Sequence, residues 1–150
     1  MITVECVSEA DTRAVGRRLA SLLRAGDVIL LAGDLGAGKT VFAGGIGEGL
    51  GVDDPVVSPT FVLVRRYRGL LPMVHADMYR VGSSAEVEDL DLPAESTDAV
   101  LVVEWGDAVE QAFGDDVLLV RLSVDGTGVR TITLLPRGTW MQRPIAELSR

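Results

Sequence analysis

Cysteine and lysine are each represented once in this chain of 150 residues. Cys6 cannot close an internal disulfide and has no neighbours with metal-ligand spacing. It suits a reducing compartment and reads as a small hydrophobe in a strand. No charge-poor stretch approaches the roughly eighteen residues that suggest a membrane span. The opening Met1-Ile2-Thr3-Val4-Glu5 lacks the basic and apolar regions of a signal peptide, so a cytoplasmic location and no membrane association are expected. Positive charge is also in deficit. A net charge of −8 repels a polyanionic backbone, and strong direct binding to DNA or RNA is not expected. Internal repeats and low-complexity tracts are missing.

What is present is the composition of an ordinary folded protein, 47% hydrophobic and 24% charged. The length suits a single domain with a sizeable core, spanning 1–150, with a tail from about 136. Residues 2–7 read as a strand. Ser8 with Asp11 resembles a capping box opening a helix that runs to about Arg24 and ends at Gly26, with Val15, Leu19, Leu22 and Leu23 on one face. Residues 28–32 form a continuous apolar run, the pattern of a central parallel strand covered on both faces. A helix is expected over 39–50 with Phe42, Ile46 and Leu50 buried. Its four glycines, at 44, 45, 47 and 49, each weaken helix propensity by roughly 1 kcal/mol, so tertiary packing must hold it.

Farther on, 61–67 and 73–78 suggest a hairpin around Gly69, and Ser83 with Glu86 a cap for a short acidic helix ending near Leu92 and Pro93. A second fully apolar strand covers 99–103 and a helix 106–113. Strands 117–124 and 129–135 flank the turn Asp125-Gly126-Thr127-Gly128. The whole reads as an α/β layered structure with parallel central strands and antiparallel hairpin additions.

Between the strand at 28–32 and the helix at 39–50 lies Gly33-Asp34-Leu35-Gly36-Ala37-Gly38-Lys39-Thr40, which satisfies the Walker A pattern in its proper strand-to-helix context. Glycines let such a loop wrap with its N–H groups inward, and the helix N-terminus adds partial positive charge for phosphate. Lys39 would reach the β and γ phosphates of ATP, and the Thr40 hydroxyl would ligate magnesium. The remaining basic residues are all arginine, so the compact ammonium is kept where a triphosphate would lie.

A P-loop needs an acid at the end of a neighbouring strand to anchor hydrated magnesium, and Val100-Leu101-Val102-Val103-Glu104 supplies Glu104. In His75-Ala76-Asp77-Met78-Tyr79-Arg80, strand alternation places His75, Asp77 and Tyr79 on one face and Arg80 on the other. Asp77 is a candidate for orienting the attacking water or a magnesium-bound water. Arg80 is a candidate for phosphate or a partner carboxylate, and His75 reads equally well as a half-buried structural residue. Thr60, after Pro59, is a candidate switch-like contact near the γ-phosphate, or else a strand cap. Trp105 suits either packing over the nucleotide or the core. The basic run Arg65-Arg66-Tyr67-Arg68 suits a solvated edge better than an RNA or protein contact.

Together the Walker A loop, Ser58-Pro59-Thr60-Phe61, His75-Ala76-Asp77-Met78-Tyr79-Arg80 and Val103-Glu104-Trp105-Gly106 resemble, in order and spacing, the bacterial tRNA threonylcarbamoyladenosine biosynthesis ATPases of the TsaE (YjeE-type) family. The resemblance covers most of the chain. It implies a three-layer P-loop NTPase fold and slow, magnesium-dependent ATP hydrolysis. That hydrolysis becomes productive with the partner proteins TsaB and TsaD, which modify adenosine 37 of tRNA. tRNA would be met only through that complex. Carried over by position, the loop residues Gly36, Ala37, Gly38, Lys39, Thr40 and Val41 would hold the phosphates, beside Gly33, which the Walker A pattern already places in the nucleotide site. Thr40 and Glu104 would hold the metal, Asp77 the γ-phosphate end, and Thr12 and Arg130 would touch the nucleotide. Val41 departs from the family habit of a second hydroxyl there, which leaves only its backbone N–H.

The alternative is a small-molecule P-loop kinase, which usually needs a lid bearing several arginines, and the acidic stretch 86–91 makes a poor one. A GTP switch needs a lysine in its guanine-reading motif, and Lys39 is already committed to the loop.

Overall fold

The computed structural model describes residues 1–34, 36–58, 64–78, 85, 88, 90–105 and 112–149. Seven strands form one sheet: β1 (Ile2–Cys6), β2 (Val28–Ala32), β3 (Val64–Tyr67), β4 (Met73–Asp77), β5 (Val100–Glu104), β6 (Leu118–Val124) and β7 (Arg130–Pro136). Their order is β1-β7-β6-β2-β5-β4-β3. β6, β2, β5 and β4 run parallel, while β7 and β1 on one side and β3 on the other join antiparallel. The last hairpin is therefore not simply an edge addition, because its first strand belongs to the parallel centre.

The apolar runs at β2 and β5 are buried at every position, as strands covered on both faces should be. On one face, Ile29, Leu31, Val100 and Val102 pack with Leu19, Phe42 and Ile46. On the other, Leu30, Leu101, Val103 and Leu119 pack with Leu92 and Phe113.

Helix α1 (Glu9–Ala20) opens as its sequence predicts, with Ser8 Oγ accepting from Asp11 N at 3.2 Å and Asp11 Oδ2 accepting from Val7 N at 3.2 Å. It ends four residues before Arg24, because Ser21, Leu22 and Leu23 N–H groups turn to Arg18, Leu19 and Ala20 carbonyls in tighter 3-10 geometry. Helix α2 (Lys39–Gly49) lies against α1 with backbones in contact. A Cβ on Gly16 would come within 2.5 Å of Phe42 O, and one on Gly45 within 2.1 Å of Arg13 O. The glycines that weaken α2 in isolation are what permit this approach, and Arg13 and Arg17 close over it onto Glu48.

The segment after Pro136, read from sequence as tail, packs as 3-10 turns Gly138–Gln142 and Ile145–Ser149 that bury Trp140, Ile145 and Leu148 in the α1 side of the core. Arg143 anchors it. Its guanidinium donates to Asp27 Oδ2 at 2.5 Å and Oδ1 at 2.7 Å, and to Leu22 O at 3.1 Å, while stacking on Trp140. At the opposite edge, Arg66 pairs with Asp98, whose carboxyl it holds below the usual range, and Arg65 lies over Tyr67. No helix among the described residues is long and apolar enough to cross a membrane.

Candidate functional site

The loop leaving β2 enters α2 through glycines in left-handed conformations. Gly36 has φ 84° and Gly38, the residue capping α2, has φ 105° with no side-chain cap. Both conformations suit glycine, and they free the helix's first N–H groups for an external acceptor. Gly33 begins the loop against β6, where a Cβ would meet Leu122 O at 2.4 Å. Ala37 is buried and Val41 is half-buried in the first turn of α2.

Lys39 is 5% exposed. Its Nζ donates to Gly33 O at 2.6 Å and Asp34 O at 3.0 Å and sits 3.8 Å from the Trp105 ring centroid. Trp105, left open by the sequence, thus faces the loop's cation. It holds an unusual φ of 66° as the chain leaves β5.

Strand register assembles the acidic end of the site. β5 lies between β2 and β4, so the end of β5 emerges beside the loop, and Glu104 is paired with Leu31 on one side and Asp77 on the other. Thr40 Oγ1 donates to Glu104 Oε1 at 3.1 Å, with Oε2 at 3.3 Å. His75 Nε2 lies 2.5 Å from Glu104 Oε2, and Asp77 Oδ2 accepts from Ser58 Oγ at 3.3 Å. His75 is fully buried and Glu104 is 3% exposed.

At the other end, Thr12 and Arg130 meet the loop at Gly38. A Cβ there would lie 3.2 Å from Arg130 Nε and 3.7 Å from Thr12 Cγ2. Arg130 Nε is buried with no hydrogen-bond partner among the described residues. Thr12, wholly buried, donates to Ser8 O at 3.4 Å. The structure therefore brings Thr12, Gly33, Gly36, Ala37, Gly38, Lys39, Thr40, Val41 and Arg130 together around one loop. Asp77 and Glu104 stand at the end of the loop where Thr40 lies. Thr60, Tyr79 and Arg80 lie outside the described residues.

The donor set fits a nucleotide with magnesium. Among the described residues no cluster of three or more His, Cys, Asp and Glu side chains gathers to cage an ion. Magnesium does not need one, because it keeps several waters and takes its remaining ligands from one or two protein oxygens and the substrate phosphates. The orphaned Arg130 Nε beside the loop is likewise a donor suited to an anionic or polar ligand atom. Ser58 entered the sequence reading only within Ser58-Pro59-Thr60-Phe61, and His75 stood there evenly between a functional and a half-buried structural role; it is in fact fully buried. The signal for His75 was the strand alternation that put it on the face of Asp77.

A family model described as threonylcarbamoyl adenosine biosynthesis protein TsaE matches residues 6–132, a span that holds the loop, β4, Glu104 and Arg130. The chain belongs to the TsaE family. The tRNA threonylcarbamoyladenosine biosynthesis protein TsaE of Streptomyces coelicolor is 51% identical over 146 residues, covering 91% of this chain and 99% of that protein. The TsaE of Bacillus subtilis is 37% identical over 145 residues, covering 96% and 91%. The crystal structure of YdiB from Bacillus subtilis matches with a TM-score of 0.81 at 32% identity, covering 99% of this chain and 94% of that one. The architecture is the α/β P-loop NTPase fold expected from the loop and its flanking elements. TsaE-family membership ties the chain to threonylcarbamoyladenosine biosynthesis on tRNA.

Proposed function

We propose that this TsaE-family chain binds ATP with magnesium at Gly33–Thr40 and hydrolyses it slowly. That hydrolysis would support N6-threonylcarbamoyladenosine formation at tRNA position 37 by acting on the TsaB–TsaD complex in the cytoplasm. The observation that carries the nucleotide reading is the contact between Thr40 Oγ1 and Glu104, because it joins the last residue of the Walker A loop to the acid ending the neighbouring strand. That pair is the protein's half of a magnesium site.

In this reading the backbone N–H groups of 36–41 and the positive end of α2 bind phosphate oxygens, with Val41 contributing its amide alone. Lys39 exchanges its carbonyl acceptors at Gly33 and Asp34 for β and γ phosphate oxygens, which are stronger, charged acceptors. Magnesium, when bound, neutralises charge developing on the phosphates. Thr40 and Glu104 hold its protein side. Asp77, kept in place by Ser58, orients the attacking water, and Thr60 completes the γ-phosphate end. Thr12 and Arg130 bind the nucleotide on the opposite flank of Gly38. The net charge of −8 supports contact with tRNA through the complex rather than directly.

The deciding experiment is ATP hydrolysis with magnesium, measured with this chain alone and with TsaB, TsaD and tRNA added. The reading expects slow turnover alone and stimulation in the complete mixture. Equal turnover in both would remove the partner half of the proposal, and no turnover in either would remove the ATPase half.

A further inference from the structure

Glu104 has a second buried partner that a simple metal ligand does not require. His75 is fully buried on β4, one strand over, and its Nε2 lies 2.5 Å from Glu104 Oε2. Its other ring nitrogen, Nδ1, is buried with no hydrogen-bond partner among the described residues. A buried N–H without an acceptor is costly, whereas a carboxylate is an acceptor only. A neutral ring therefore carries its proton on Nε2 and donates it to Glu104. The carboxylate is then gripped from two sides, by Nε2–H on Oε2 and by the Thr40 hydroxyl, which lies 3.1 Å from Oε1.

We propose that His75 is a positioning residue for the metal-anchoring carboxylate: its Nε2–H fixes Oε2 and so the plane of the carboxylate, which keeps Oε1 beside Thr40 Oγ1. The inference rests on the magnesium reading of Thr40 and Glu104 given above. Its physical basis is that a carboxylate on a two-torsion stem samples several orientations. A buried donor on the neighbouring strand removes that freedom before the ion arrives, as supporting partners do around other metal ligands. A core-filling histidine has no need of a donor aimed at a particular oxygen. The same face of β4 holds Asp77, so one strand supplies both the group that aims the metal carboxylate and the group at the γ-phosphate end.

The test separates metal-dependent from metal-independent affinity. A fluorescent N-methylanthraniloyl-ATP is titrated in EDTA and in magnesium against wild type, His75→Asn, His75→Leu and His75→Gln. Glutamine places an amide N–H near the position of Nε2, whereas asparagine places its amide near Nδ1 and leucine offers no donor. For Asn and Leu the enhancement of affinity by magnesium is expected to fall about tenfold while affinity in EDTA stays within about twofold. Gln is expected to restore most of the enhancement.

His75 is the sole histidine of the chain, so its ring can also be read in the wild type by 15N NMR without assignment ambiguity. The Nε2–H tautomer is expected, with an Nε2 shift when magnesium joins the ATP complex. An Nδ1–H tautomer, or full magnesium enhancement in folded His75→Asn, overturns the inference. Absence of magnesium enhancement in the wild type would instead overturn the metal reading on which it stands.

Discussion

Thr40 and Glu104, 64 positions apart in the chain, meet side chain to side chain at 3.1 Å. Two independent pieces of local structure bring them there. A strand-loop-helix turn presents Thr40 at the head of α2, and the parallel pairing of β5 beside β2 carries Glu104 to the same end of the sheet. Parallel strands deliver their C-terminal ends to one rim, which is where ligands bind in open α/β sheets.

Removing the carboxylate should reveal what it does. Glu104→Ala is expected to abolish most of the magnesium dependence of ATP binding and to leave binding in EDTA close to wild type. It also strips an acceptor from Thr40 and His75, so some loss of stability, about 1–3 kcal/mol, accompanies it. Paired magnesium titrations by calorimetry check the first effect and urea denaturation the second. Identical titrations for variant and wild type would contradict the assignment.

The crossing of α1 and α2 makes a prediction about stability rather than chemistry. Gly45→Ala would place a methyl group 2.1 Å from Arg13 O, and backbone cannot yield as a flexible side chain can. A loss of roughly 1–3 kcal/mol is expected, read as a lower urea midpoint with an unchanged slope. The helix-propensity gain of alanine over glycine, about 1 kcal/mol, acts in the opposite direction, so a stabilised variant would show that the helices do not pack this closely.

Arg143 should matter more than a residue near a chain end ordinarily does. It is the partner of the buried Asp27 carboxylate, and it binds that carboxylate through both oxygens. Arg143→Ala leaves a buried charge without its counterion, and a loss of about 3–5 kcal/mol is expected in equilibrium unfolding. The double variant Arg143→Ala with Asp27→Asn should recover part of that loss, since it removes the stranded charge.

Cys6 offers a pH test. Burial is the main cause of a thiol pushed above its ordinary value, with a smaller opposing hydrogen bond from Thr12. A raised value means the folded state disfavours the thiolate. The associated stability is fully present below the unfolded thiol's range and declines as pH rises through the folded one. Native protein is therefore expected to react with thiol reagents far more slowly than urea-unfolded protein, and Cys6→Ala is expected to flatten the alkaline part of the stability profile. Equal thiol reactivity in both states would contradict the burial of Cys6.

The features legible in the sequence were those set by neighbours in the chain. The all-apolar β2 and β5 and the cap at Ser8 are local patterns, and each appears where its pattern predicts; the Walker A motif likewise falls between β2 and the start of α2 at Lys39. The early end of α1 was hidden because Leu22 and Leu23 continue the apolar periodicity while their N–H groups have already turned to 3-10 partners. The packing after Pro136 was hidden for a different reason. The Arg143 and Asp27 partnership spans 116 positions, and no local pattern announces it. His75 lies between these cases: alternation put it on the face of Asp77, but its link to Glu104 depends on β4 pairing beside β5, a long-range fact.

In the proposed function the loop's inward amides and the single ammonium of Lys39 form a cradle for a triphosphate. Calorimetric titration of ATP with magnesium into wild type and Lys39→Ala tests it most directly. One-site binding to the wild type is expected, with a loss of roughly 2–3 kcal/mol, about 30- to 150-fold in affinity, in a variant that melts as the wild type does. Equal affinity for the two folded proteins would contradict it.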